Sequence, residues 1–175
     1  FTLSMIETAV TVTGGRVQAA DIQAIVELGR TLTRYDIRLL DGVPEALQRL
    51  AGRRLMLLTK GDVLDQESKL HRSGLVDYFS LVEVVTDKTP PIYAGLFKRH
   101  NIAPDRFLMI GNSLRSDIAP VLTLGGYAVH VPYPESWAHE TEAELPPDRA
   151  RYFEIDTLHD LPQLIERIEQ SNGVI

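Results

Sequence analysis

Thr59, Lys88, Asn112 and Asp117 each follow closely on a short apolar run, and together they are the residues of this chain best placed to do chemistry. Thr59-Lys60-Gly61 ends the run Leu55 to Leu58. A hydroxyl followed by the backbone N–H groups of an opening helix suits a phosphate oxygen, because the hydroxyl donates and the helix N-terminus is partly positive. The same Thr could simply cap the helix. Lys88 stands in Thr86-Asp87-Lys88-Thr89-Pro90, where an ammonium can turn back and neutralise a carboxylate or a phosphate. A solvated surface Lys is its ordinary alternative. Gly111-Asn112-Ser113, with Asp117 five residues after Asn112, offers amide and carboxylate oxygens of the kind Mg²⁺ takes. Asn112 could instead close a turn on its own backbone.

These residues need elements to hold them. Runs at Leu55–Leu58, Leu81–Val85, Phe107–Ile110 and Tyr127–Val131 read as buried parallel strands, and residues 152–155 as a last short one. Helices are expected over 45–51, 63–73, 92–99, 116–124 and 158–168, several closed by Gly or opened by Pro. The alternation predicts an α/β fold with a doubly wound parallel sheet. Right-handed crossovers then bring the loops after Leu58, Val85, Ile110 and Val131 to one edge, the carboxyl edge where such sheets bind ligands. Residues 1–13 and 19–32 have helical spacing, with a stripe of Ile22, Ile25, Val26, Leu28 and Leu32 in the second. Residues 132–150, rich in Pro and acids, read as a long surface loop, with Trp137, His139 and Glu140 on the functional edge.

Composition narrows the function. Of 175 residues 44% are apolar and 24% charged, as in an ordinary globular chain. The net charge of −6 argues against general nucleic-acid binding and weakly against anionic membranes, but one phosphate can be held locally. The chain has no Cys, hence no disulfide or thiolate metal site, which fits a reducing cytoplasm. No run is long enough to span a membrane. The five His residues show no metal-ligand spacing and are expected at the surface or half-buried; Arg115, beside Asn112, could meet an anion or solvent.

The series strand–Thr, strand–loop–Lys-x-Pro, strand–Gly-Asn-Ser-x-x-x-Asp resembles motifs II, III and IV of the haloacid dehalogenase superfamily, over about residues 37 to 135. Residues 41–61 (DGVPEALQRLAGRRLMLLTKG) look like the family's helix and strand up to motif II, and residues 77–132 like its run from before the Lys to past motif IV. Residues 1–36 look like the end of a helical cap, and 37–175 like a Rossmannoid core without its first strand. The resemblance implies a Mg²⁺-dependent phosphomonoester hydrolase of small phosphorylated metabolites, working through an aspartyl-phosphate. Thr59, Lys60 and Gly61 would bind the phosphoryl group, with Lys88 balancing its charge, and Asn112 and Asp117 would hold or orient Mg²⁺.

The chain departs from that pattern twice. Asp-x-Asp after an apolar strand, the family's nucleophile and general acid/base, is missing. Asp41 does not supply it, since Val43 stands where the second Asp should and the segment lies on the wrong side of the cap. The nucleophile is therefore expected upstream of residue 1, and residues 1–175 alone should not turn over substrate. The second departure is Asn112, an uncharged ligand where the family usually has an acid. It keeps open one alternative, a metal-independent haloacid dehalogenase, while the missing Asp-x-Asp keeps open a second, a non-catalytic binding domain.

Overall fold

Two glycines with positive φ, Gly14 (61°) and Gly15 (80°), follow helix α1 (Thr2–Val12) and allow the chain to turn toward α2 (Ala19–Thr33). The computed structural model describes residues 1–33, 36–136 and 138–172. It divides into two compact units, Phe1–Arg38 and Leu39–Ile175. In the first, α1 and α2 pack where Gly29 faces Thr2, a contact that leaves no room for a Cβ at position 29. The expected apolar stripe on α2 is only partly covered: Ile22, Ile25 and Val26 are half-buried, while Leu28 and Leu32 are exposed.

The second unit runs α3 (Val43–Arg49), β1 (Met56–Lys60), α4 (Val63–Ser73), β2 (Leu81–Val85), α5 (Pro90–Arg99), β3 (Leu108–Gly111), a π-helical turn (Leu114–Ile118), α6 (Ala119–Thr123), β4 (Tyr127–His130), α7 (Ala138–Thr141), β5 (Tyr152–Glu154) and α8 (Leu161–Asn172). All strand pairings are parallel. Local chemistry sets the boundaries. Asp62 caps α4 by accepting from the Asp65 N–H, and Gly74, with φ of 72°, closes it. Pro90 and Pro91 open α5, where a missing N–H costs nothing.

Helices cover both faces, as a doubly wound sheet requires. On one, Tyr93, Leu96 and Phe97 of α5 and Val121 of α6 pack on Leu58 and Met109. On the other, Leu161, Leu164, Ile165 and Ile168 of α8 and Leu50 pack on Tyr127 and Val129.

The strands form two sheets, β2–β1 and β3–β4–β5, with no ladder between β1 and β3. Between these two strands lies a cavity of about 710 Å³, lined by Leu55–Leu58, Phe107–Ile110 and apolar side chains of α3 and α8. Gly61 N–H donates to Val85 O and Ser80 N–H to Leu55 O, so the odd-numbered residues of β1 face β2. Alternation then turns the backbone groups of Met56 and Leu58 toward the cavity, and those of Lys60 toward the same gap beyond it. On β3, the carbonyls of Phe107 and Gly111 accept from Tyr127 and Val131, which leaves Leu108 and Ile110 facing it from the other side.

Three expectations change. β1 continues through Thr59 and Lys60, which belong to the strand rather than to the loop. The helix after Asn112 begins with a π turn instead of a plain α-helix. Residues 132–150 are not all loop, since α7 lies within them.

Candidate active site

The expected carboxyl edge is formed by the ends of β1 to β4, and most of the candidate residues lie along it. Asp117 is its buried centre, 4% exposed. Its Oδ1 accepts from Lys88 Nζ at 2.6 Å and its Oδ2 from the Ser113 N–H at 3.1 Å. Gly111 makes room for this carboxylate, because a Cβ there would overlap it. Lys88 is itself mostly buried, with its side chain 13% exposed. A lysine in that position, paired with a carboxylate, is not the solvated surface residue that composition alone favours.

The π turn draws on its own residues and on α5. Ser113 caps it, its Oγ accepting from the Ser116 N–H at 2.8 Å, and Ser113 O accepts from the N–H groups of both Asp117 and Ile118. Pro120 cannot donate to Ser116 O, the carbonyl four residues back. Tyr93 OH donates to that carbonyl instead, at 3.1 Å. Burial raises the Tyr93 phenol well above its ordinary pKa, so it stays protonated for this bond.

Thr59 is half-buried, and its hydroxyl donates to Gln66 Oε1 on α4 at 2.7 Å. The Gly61 N–H is used by the ladder to Val85, and strand alternation turns the Lys60 N–H away from β2 toward the gap between β1 and β3. The Lys60 ammonium lies 3.8 Å from Asp87 and 3.1 Å from Glu140 Oε1. Asn112 is exposed; its Nδ2 donates to Ser136 Oγ at 2.7 Å, which leaves the amide oxygen as its remaining group. Arg115 is exposed.

Several partners were not legible beforehand. Glu140 Oε2 accepts from Ser113 Oγ and, at 2.6 Å, from Ser116 Oγ. With Lys60 this holds the Glu140 carboxyl down at about pH 2, the Ser113 bond contributing most. Trp137 lies outside the described residues, and His139 is exposed. His130, expected at the surface or half-buried, is buried at the end of β4. Its Nδ1 bonds Glu154 Oε2 at 2.9 Å and its Nε2 bonds Asn112 O at 3.2 Å. The bond from His130, then that from Tyr152, lowers the Glu154 carboxyl. The signals were the Ser-x-x-Ser spacing at the cap and Gln66 in the first turn after a strand-end Thr.

Asn112 and Asp117 fit a hard cation only in part. The amide oxygen is available, but both Asp117 oxygens already accept hydrogen bonds. No cluster of three His, Cys, Asp or Glu able to hold a metal occurs among the described residues.

Comparison with known proteins gives this chain a family. Residues 8–122 match the haloacid dehalogenase-like hydrolases. The chain belongs to this family. A haloacid dehalogenase-like family hydrolase from Xanthomonas campestris has a solved structure that superposes with a TM-score of 0.84 at 38% identity, over 98% of this chain and 73% of that one. Among curated relatives, a glyceraldehyde 3-phosphate phosphatase from Pyrococcus furiosus is 30% identical over 144 residues, 78% of this chain and 57% of that protein. The pyrimidine 5'-nucleotidase YjjG from Escherichia coli is 27% identical over 158 residues, 86% of this chain and 64% of that protein. The chain thus spans 57% and 64% of the length of these two relatives. No described helix of this haloacid dehalogenase-like chain is long and apolar enough to cross a membrane.

Proposed function

We propose that the protein hydrolyses phosphomonoesters of small metabolites, in the cytoplasm, and that Thr59, Lys88, Asn112 and Asp117 are its site residues within this chain. The observation that carries the reading is the Lys88–Asp117 pair, a buried cation held at 2.6 Å from a carboxylate on the carboxyl edge. The names of the two curated relatives, a phosphatase and a nucleotidase, support the phosphate chemistry.

In this reading an Asp on a segment preceding Phe1 attacks phosphorus. The P–O bond to the leaving alcohol breaks, and water then cleaves the aspartyl-phosphate to release inorganic phosphate. The cavity between β1 and β3 supports the reading, since it has the strand-facing backbone groups and apolar walls that a central parallel strand needs. Thr59 Oγ, turning its proton from Gln66 Oε1, and the Lys60 N–H donate to the phosphoryl oxygens. Lys88 offsets the charge of nucleophile and phosphate, and Asp117 aims its ammonium. Asn112 would contribute its amide oxygen to Mg²⁺, with the remaining ligands coming from that preceding segment. The ion, when bound, neutralises charge on the transferring group. Residues 1–36 act in this reading as part of a helical cap that selects the substrate.

The test is an assay of the intact protein on triose phosphates, nucleoside monophosphates and haloacids, each with and without EDTA. EDTA-sensitive release of phosphate is expected. Halide release that survives EDTA would replace the proposal with carbon–halogen hydrolysis, and no turnover of either class would leave a non-catalytic domain.

A further inference from the structure

Among the described residues no ladder joins β1, which ends in Thr59 and Lys60, to β3, which leads into the Asn112–Asp117 turn. Two side-chain bridges span that gap at the carboxyl edge among the described residues. One is the Lys88–Asp117 pair. The other runs through Glu140, which bonds Lys60 with one carboxylate oxygen and Ser113 and Ser116 with the other.

We propose that Glu140 is a positioning residue of the site, its carboxylate clamping the end of β1 to the turn after β3. The proposal rests on the phosphohydrolase reading for its kinetic consequence, though not for its geometry. An exposed ion pair contributes little and orders little. Glu140 differs in its partners. Ser113 and Ser116 are both buried, and Ser113 Oγ already accepts from the Ser116 N–H, so its one proton is directed onto Glu140. Charge-assisted bonds to two buried hydroxyls and an ammonium are strong and directional. They act at the cap of the turn that carries Asp117 and at the residue whose N–H faces the phosphoryl group. Lys60, also near Asp87, is thereby kept from swinging into solvent. The carboxyl's depression to about 2 has the same three causes, Ser113 first. The Asn112–Ser136 bond ties the same connecting segment down at a second point.

The test compares the intact protein with its Glu140→Gln and Glu140→Asp variants, and with Glu142→Gln as a control on the same segment. Glu140→Gln is expected to raise KM for a phosphate ester, and Ki for inorganic phosphate, about 10-fold or more, as loss of a residue that orients ligand groups does. Glu140→Asp should fall between, and Glu142→Gln should match wild type. Amide exchange at Gly61 and at Ser116 should quicken together in Glu140→Gln. The double variant with Lys60→Met should be non-additive, as partners in one bond network are. Wild-type KM, Ki and exchange in Glu140→Gln would overturn the proposal, as would exchange quickened only within residues 138–141. If the wild type hydrolyses no phosphate ester, the functional reading fails by itself. The paired exchange at Gly61 and Ser116 then still decides whether Glu140 couples the two loops.

Discussion

Lys88 Nζ lies 2.6 Å from Asp117 Oδ1, and this pair joins the loop after β2 to the turn after β3 across a gap that no strand ladder closes. Its side chains are 13% and 6% exposed, so each charge depends on the other. Lys88→Ala removes the cation proposed to face the phosphoryl group and strands a buried carboxylate. Turnover by the intact protein should fall about 10³-fold or more. Stability should fall by about 3–5 kcal/mol, the cost of breaking a buried pair from one side. Circular dichroism should still report the folded α/β chain below its lowered melting temperature. Near wild-type kcat/KM would refute the role given to Lys88.

Gly111 is the point where the β3 backbone passes the Asp117 carboxylate. A methyl group there would occupy the space of the carboxylate itself. Gly111→Ala should therefore displace Asp117 from the Ser113 N–H and from Lys88, lowering the melting temperature and turnover together. A variant with both unchanged would show that the turn can relax around the methyl, and that its geometry is not essential.

The fold and the outline of the site were legible because they rest on short-range chemistry. The apolar runs at residues 55–58 and 107–110 mark strands whatever lies around them, and the Asp62 and Gly74 caps act within one helix. The positions of Lys88 and Asp117 followed from their places after strands. What the sequence did not disclose depends on distant partners. The π turn needs Tyr93, from another helix, to satisfy the carbonyl that Pro120 leaves open. Burial of His130 needs Glu154 from the neighbouring strand. Glu140 reaches Ser113 across 27 residues of chain, from a segment whose composition resembles loop. The break between β1 and β3 is a cavity with the backbone groups of Met56, Leu58, Leu108 and Ile110 turned inward, and that shape comes only from the register.

Glu140 also predicts a pH dependence. Its folded pKa of about 2 lies below the ordinary glutamate value of 4.5. A depressed carboxyl contributes stability that is fully present above the unfolded pKa and is lost as pH falls through the folded one. The contribution should therefore be complete at pH 6 and fade between about pH 4.5 and 2. Urea unfolding of wild type and Glu140→Gln at pH 6, 4 and 3 measures it. The gap between the two should narrow at each step down; a constant gap would mean that the Glu140 charge contributes nothing through Lys60, Ser113 and Ser116.

The cavity between β1 and β3 makes a last prediction at the level of single amides. Met56 and Leu58 on one side, and Leu108 and Ile110 on the other, turn their backbone groups into a space of about 710 Å³. Buried backbone groups are almost always paired. A strand carrying the proposed nucleophile would pair all four, leaving the Lys60 N–H for the phosphoryl group. In the intact protein the amides of these residues should then exchange as slowly as those of Val129 and Ala128 in the centre of the β3–β4–β5 sheet. The Lys60 amide, at the ligand end, should slow only when inorganic phosphate is added. Fast exchange at Leu58 and Ile110 in the intact protein would mean that no strand fills the cavity, and the nucleophile would have to be sought elsewhere.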